Sequence, residues 1–192
     1  MRFRYQSILA VAALSSAFLA PAAQAKETER VIYKLPAGFE LGFSQKALRQ
    51  SIREFVPRGQ KVESWDKMVT VLQLEQTIPA KDFGARLMTM VTATCPGAKA
   101  GFAAGSDNES AGFMSYCPFN QMTRKPEWTF YLVTTGWEST YNVQMAFSNK
   151  PTAKDLDQML ALMKSVRVCE ADQSDRDCRA SKYSGQSIDW GR

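Results

Sequence analysis

The chain has 192 residues, of which 24 are lysine or arginine and 19 are aspartate or glutamate, so its formal net charge at pH 7 is +5. Such a small excess gives no indication of the strong basic patch typical of nucleic-acid-binding proteins, and no nucleic-acid partner is predicted. The absence of histidine excludes Ser-His-Asp and Cys-His catalytic systems and histidine-ligated metal sites.

The first 25 residues have the pattern of an export signal. Arg2 and Arg4 precede an apolar stretch at residues 8–20, and small residues then offer a cleavage site after Ala25. The apolar stretch is shorter than the roughly 20 residues that a membrane span needs, although an uncleaved anchor is the alternative. We expect cleavage near Ala25 and a periplasmic or secreted protein. Removing 25 of the 192 residues leaves 167, which suits one domain, with a charge of +3 and no transmembrane segment.

Four strands are predicted in the first half of the mature chain. Residues 31–34 and 39–44 flank a turn that contains Pro and Gly, and residues 51–56 form a third strand that stops at Pro57. The side chains of residues 65–75 form a largely apolar run that alternates between two faces, which predicts a longer strand.

The helix that follows predicts the first disulfide. Pro79 suits a first helical turn, and Leu87 and Val91 recur at helical spacing. Cys95 lies four residues after Val91 on the same inward face, so it points toward the sheet, where a strand carrying Cys117 should lie. We therefore predict a Cys95–Cys117 disulfide.

The second half predicts four more strands and a final helix. Strands at residues 99–104 and 111–116 flank a polar loop, and alternating apolar residues at 128–132 and 141–147 form a clear hairpin. Thr152 is a candidate N-cap for the last helix.

The remaining cysteines divide the C-terminal part. With four cysteines in an exported chain, two disulfides are expected, and we pair Cys169 with Cys178 because they are nearest in sequence. The other two pairings would tie the tail back into the domain. The domain is predicted to span residues 26–168, and residues 169–192 to form a disulfide-closed polar loop and a flexible tail. Because that loop is polar, we expect loss of the Cys169–Cys178 disulfide to lower the stability less than loss of Cys95–Cys117.

This order of elements predicts an α+β fold, an antiparallel β-sheet with two helices packed on one face. The topology over residues 31–168 resembles the Mog1/PsbP-like α/β sandwich, and that resemblance implies a role in binding or assembly. The spacing Phe55-x-Pro57-x-Gly59 followed by Trp65-x-x-Met-Val-Thr also resembles a pattern in uncharacterised exported bacterial proteins, and implies no activity.

Two tryptophans are the candidate binding residues. Trp137, with Glu138 beside it, falls at a hairpin tip, where an aromatic side chain can serve as a binding anchor or pack on a neighbouring loop. Trp65 begins a strand, and it is either a piece of core or an exposed anchor beside Arg58.

The absence of histidine and these two tryptophans predict a protein that binds a partner and has no catalytic activity. We expect an exported domain that binds a protein or a cell-envelope component, with no cofactor and no metal site. The alternative is a small-ligand carrier or an enzyme with a pocket between sheet and helices, in which a carboxylate such as Glu75 or Glu138 replaces histidine as the base.

Overall fold

The computed structural model describes residues 29–103 and 106–181, and the predicted signal peptide and the end of the predicted tail lie outside these residues. The strands and helices in chain order are β1 (Glu29–Ile32), β2 (Phe39–Ala47), β3 (Gln50–Pro57), β4 (Lys67–Leu74), α1 (Ala80–Thr94), β5 (Lys99–Phe102), β6 (Ser110–Asn120), β7 (Lys125–Thr135), β8 (Thr140–Phe147), α2 (Ala153–Ser165), β9 (Arg167–Glu170) and β10 (Arg179–Ala180).

The fold is α+β, as predicted, and is built on one large antiparallel sheet. Seven strands follow the order β2-β3-β4-β8-β7-β6-β5, and every neighbouring pair is antiparallel. A smaller sheet, β1-β9-β10, has β9 at its centre. Hairpins connect β2 to β3, β6 to β7 and β7 to β8. Such short connections are possible because these neighbouring strands are antiparallel.

The two helices lie on opposite faces of the large sheet, so the prediction that both pack on one face was wrong. Met163 of α2 packs in one apolar cluster with Leu132 of β7, whereas Phe83 of α1 packs in another with Val133. Leu132 and Val133 are consecutive in β7, and consecutive strand residues point to opposite faces. The physical reason is that the central strands are apolar on both sides, so each face needs its own cover. We call the face that carries Leu132 the α2 face and the face that carries Val133 the α1 face.

The small sheet joins the two ends of the described chain. Val31 of β1 lies opposite Val168 of β9, and Arg179 of β10 lies opposite Val168 on the other side. The first strand therefore pairs with β9 rather than with β2, and the predicted boundary between residues 168 and 169 falls inside β9. Cys169 is completely buried, so residues 167–170 belong to the folded domain.

Both predicted disulfides, Cys95–Cys117 and Cys169–Cys178, are confirmed. Cys95 follows α1, and its backbone N–H donates to the Val91 carbonyl oxygen at the helix end. Two disulfides with no free cysteine in the described residues indicate an oxidising compartment. Within residues 29–103 and 106–181, neither helix is long and apolar enough to cross a bilayer.

Candidate functional site

The tip of the β7–β8 hairpin carries an exposed tryptophan on a tightly bonded turn. Residues 136–139 close the hairpin, and the Gly136 N–H donates to the Ser139 carbonyl oxygen over 2.7 Å. Trp137 keeps 47% of its surface exposed, and Glu138 beside it is exposed as well. We call Trp137, Glu138 and Arg179 the Trp137 surface, because Arg179 of β10 lies against the indole ring.

A buried carboxylate from β1 holds this turn from beneath. Glu29 is only 4% exposed, and its carboxylate accepts backbone hydrogen bonds from Trp137, from Glu138 over 3.4 Å and from Ser139 over 3.2 Å. Convergent backbone N–H groups form a concave site for an anion, and here the protein supplies its own. Gly136 is required for the fit, because an added Cβ would overlap the Glu29 carboxylate.

The indole ring of Trp137 and its backbone carbonyl group also have partners. The Arg179 guanidinium carbon lies 4.9 Å from the centroid of the Trp137 ring, which is a cation–π arrangement. The same guanidinium donates to the carbonyl oxygen of Thr135, and the hydroxyl of Thr77 donates to the Trp137 carbonyl oxygen over 3.1 Å. Trp137 is therefore exposed but fixed, because its backbone and one ring face both have partners.

The C-terminal disulfide loop positions Arg179. Arg179 directly follows Cys178 and pairs with β9, which carries Cys169. Arg30 of β1 clasps the loop between these cysteines, since its guanidinium donates to three backbone carbonyl oxygens and to the carboxylate of Asp175 over 3.0 Å. Neighbouring residues of β1 thus hold two different parts of the site: Glu29 holds the hairpin tip and Arg30 holds the disulfide loop.

This arrangement suits recognition. Tryptophan and arginine dominate the energetically important centres of protein interfaces, and a side chain that is already ordered loses less conformational entropy on binding. Sequence reasoning named Trp137 and Glu138 as candidates but did not name Glu29 and Arg179, which contact this turn. The available signal was small: Arg179 follows a cysteine in a polar segment, and Glu29 precedes the first predicted strand.

Trp65 belongs to the core and not to this surface. It is 7% exposed and packs with Val56 and Ala146 on the α1 face. Arg58, by contrast, is exposed, and its Nε lies 3.7 Å from a carboxylate oxygen of Glu40. The loop that carries both residues lines a cavity of about 380 Å³. Trp65 forms one wall of this cavity, and the other lining residues are polar or glycine, namely Gly59, Gln60, Lys61, Ser64 and Asp66.

The four predicted binding residues therefore do not form one site. Trp65 packs against Ala146 near the end of β8, whereas Trp137 and Glu138 precede the start of β8 at Thr140. Six residue steps of strand separate the two places, which is about 20 Å at the usual rise of about 3.4 Å per residue.

The cysteine pair near Asp175 is not a metal site. Atoms of Cys169, Asp175 and Cys178 lie within 4.8 Å of one another, but both sulfurs are engaged in the disulfide, and only a thiolate sulfur is a good metal ligand. The Asp175 carboxylate is paired with Arg30 instead.

Comparison with known proteins identifies no family. No protein-family model matches the chain, and no curated protein matches it. A solved structure from Bacteroides thetaiotaomicron VPI-5482 aligns with a TM-score of 0.40 and 10% sequence identity, covering 74% of this chain and 46% of that one. The chain thus spans less than half the length of that structure. The likeness to the Mog1/PsbP-like sandwich stays a prediction.

Proposed function

We propose that this chain is a non-catalytic, exported domain that binds a protein or another cell-envelope component through the Trp137 surface. The observation that carries the proposal is a half-exposed tryptophan whose backbone and ring are both fixed by buried or partly buried partners. Export to the periplasm or beyond is part of the proposal, and it is supported by the two disulfides and by the signal-like sequence at residues 1–25.

The size of the expected contribution follows from the exposed area of Trp137. A tryptophan buries up to about 250 Å², and 47% of it is still exposed. Covering roughly 120 Å² of mostly apolar surface is worth about 3 kcal/mol at about 25 cal/mol per Å². That energy corresponds to about a hundredfold in the dissociation constant. Because the ring is already held by Arg179, little of this gain is lost to ordering the side chain.

Arg179 adds directionality to the apolar contact. One of its guanidinium N–H groups is used by the Thr135 carbonyl oxygen, and a guanidinium carries five N–H donors. A partner that places a carboxylate or carbonyl oxygen beside the covered indole would meet the remaining donors. The proposed partner surface is therefore apolar at its centre with hydrogen-bond acceptors at its edge.

The test is affinity capture from envelope extract with the exported, oxidised chain as bait, followed by measurement of the dissociation constant for each captured component. Trp137→Ala should weaken binding about a hundredfold while the chain stays folded. Phe119→Ala is the matched control, because Phe119 is similarly exposed at 51% but lies near the β6–β7 turn, and it should leave the affinity unchanged. Equal capture by wild type and Trp137→Ala, or capture by neither, would refute the proposal.

A further inference from the structure

The loop between β3 and β4 encloses the cavity of about 380 Å³ that Trp65 borders. Cavities that hold small ligands measure about 300–1,000 Å³, so this one has room for a small molecule. Trp65 is a fixed wall, because it is buried and packs with Val56 and Ala146 in an apolar cluster. The other lining residues are polar or glycine. The cavity therefore combines one apolar surface with several groups that can form hydrogen bonds.

Hydrogen bonds within the loop hold the lining residues in place. Lys61 and Ser64 exchange two backbone hydrogen bonds, with N–O distances of 2.9 and 3.4 Å. The side-chain amide of Gln60 accepts from the Asp66 N–H over 2.8 Å and donates to Oδ2 of Asp66 over 3.1 Å. The Asp66 carbonyl oxygen accepts from the Ser148 N–H over 3.0 Å, directly after β8. A site that is already ordered loses less conformational entropy when a ligand binds.

Two opposite charges line the cavity without neutralising each other. Lys61 and Asp66 are both lining residues and both are exposed, so a ligand can reach them from solvent. In the part of the chain that the structure describes, the Lys61 ammonium group has no partner, and the Asp66 carboxylate is bonded through Oδ2 alone. A ligand with a single charge would satisfy only one of these groups. A ligand with a charge of each sign complements both of them.

We propose that this cavity binds a small zwitterion of the amino acid class, in which one molecule carries an ammonium group and a carboxylate. The ligand carboxylate accepts hydrogen bonds from the Lys61 ammonium group and the Ser64 hydroxyl, and the ligand ammonium group donates to Oδ1 of Asp66. The aliphatic part of the ligand lies against Trp65. The site lies near the opposite end of β8 from the Trp137 surface, and it does not rest on the proposed function of that surface.

The experiment is an NMR titration of the ¹⁵N-labelled, oxidised chain with glycine, β-alanine and 4-aminobutanoate, in which the two charged groups lie progressively farther apart. At least one of these zwitterions should give saturable shifts in the backbone amides of residues 59–66 and in the indole N–H of Trp65. Acetate and ethylammonium, which carry one charge each, should bind about tenfold more weakly or less. Absence of saturation with all three zwitterions, or equal affinity for acetate or ethylammonium, would overturn the proposal.

Matched variants assign each charge of the ligand to its partner. Lys61→Gln and Asp66→Asn should each weaken binding of the best zwitterion about tenfold, and Lys61→Gln should also remove its advantage over ethylammonium. Lys81→Gln and Glu63→Gln change exposed charges that do not line the cavity, and the affinity should stay the same. The Lys61 side chain has no contact partner to lose, so Lys61→Gln provides the test even if Asp66→Asn alters the loop. Wild-type affinity in Lys61→Gln would overturn the assignment.

Discussion

Replacing Glu29 by glutamine tests whether the hairpin tip is held by a buried charge. The carboxylate accepts the N–H groups of Trp137, Glu138 and Ser139 through both of its oxygens. Glu29→Gln has nearly the same shape but only one acceptor oxygen, so an amide NH₂ group must face at least one backbone N–H. Because Glu29 and Ser139 are both buried, an N–H that loses its acceptor here is poorly placed to bond water instead.

The expected loss of stability is about 3 kcal/mol. A hydrogen bond to a charged group contributes about 1.5–3 kcal/mol, and an unsatisfied buried donor costs about 1–3 kcal/mol. For a domain of this size, about 3 kcal/mol lowers the melting temperature by roughly 6–12 °C. The effect is measured by urea and thermal unfolding of the oxidised chain, followed by circular dichroism.

Glu40→Gln is the matched control. The Glu40 carboxylate also accepts a backbone N–H, from Gly59 over 3.2 Å, and lies near Arg58, but it is exposed to solvent. Water can replace its contacts, so this variant should lose less than about 1 kcal/mol. If Glu29→Gln and Glu40→Gln have the same stability within about 0.5 kcal/mol, the three hydrogen bonds do not hold the hairpin.

Three further predictions address the core, an ion pair and the second disulfide. Trp65→Ala should lower the free energy of unfolding by about 3–5 kcal/mol in urea, and wild-type stability would contradict its place in the core. Burial raises the pKa of the Asp155 carboxyl, but hydrogen bonds from Lys67 and from the helix N-cap outweigh it and hold that pKa below its ordinary value. This stabilisation is complete above about pH 4 and is lost as the pH falls through the folded-state pKa. Asp155→Asn should therefore flatten the acid side of the plot of melting temperature against pH, and an unchanged slope would show that the pair is unimportant. Serine at both Cys169 and Cys178 should destabilise the fold by about 2–3 kcal/mol through chain entropy and increase quenching of tryptophan fluorescence by iodide; wild-type quenching would contradict the role of the loop in covering Trp137.

The sequence predicted the individual elements well because their signals are local. The hairpin β7–β8 alternates apolar residues on both strands, and α2 begins with a capping box in which Thr152 and Asp155 bond each other reciprocally, as the predicted N-cap implied. The disulfide Cys95–Cys117 was predictable because helical spacing placed Cys95 on the inward face. Such signals depend on residues that are close in the chain.

Which face of the sheet each helix covers depends on residues far apart in the chain, and the prediction that both helices share one face was wrong. In β7 the residues from Phe130 to Val133 are all buried, a continuous apolar run that a two-sided strand requires. Every second residue of this run suggests simple alternation, but the intervening Tyr131 and Val133 are buried as well. Those residues pack under α1, so the sheet has apolar cover on both sides.

The site residues that sequence reasoning missed are all brought to Trp137 by the small sheet. Glu29 and Arg30 lie at the start of β1, and Arg179 lies in β10, so more than a hundred residues separate the contributing segments. A four-residue strand and a two-residue strand carry almost no periodicity, and their pairing through β9 is a long-range contact. The short polar segment after Cys169 has the composition of a loop, yet its backbone pairs with β9 and its arginine covers the indole. Composition describes how a segment meets solvent, whereas the position of Arg179 is determined by the disulfide beside it and by the Thr135 carbonyl oxygen that accepts from it. An exposed tryptophan is thus made rigid by residues whose own sequence neighbourhoods predict mobility.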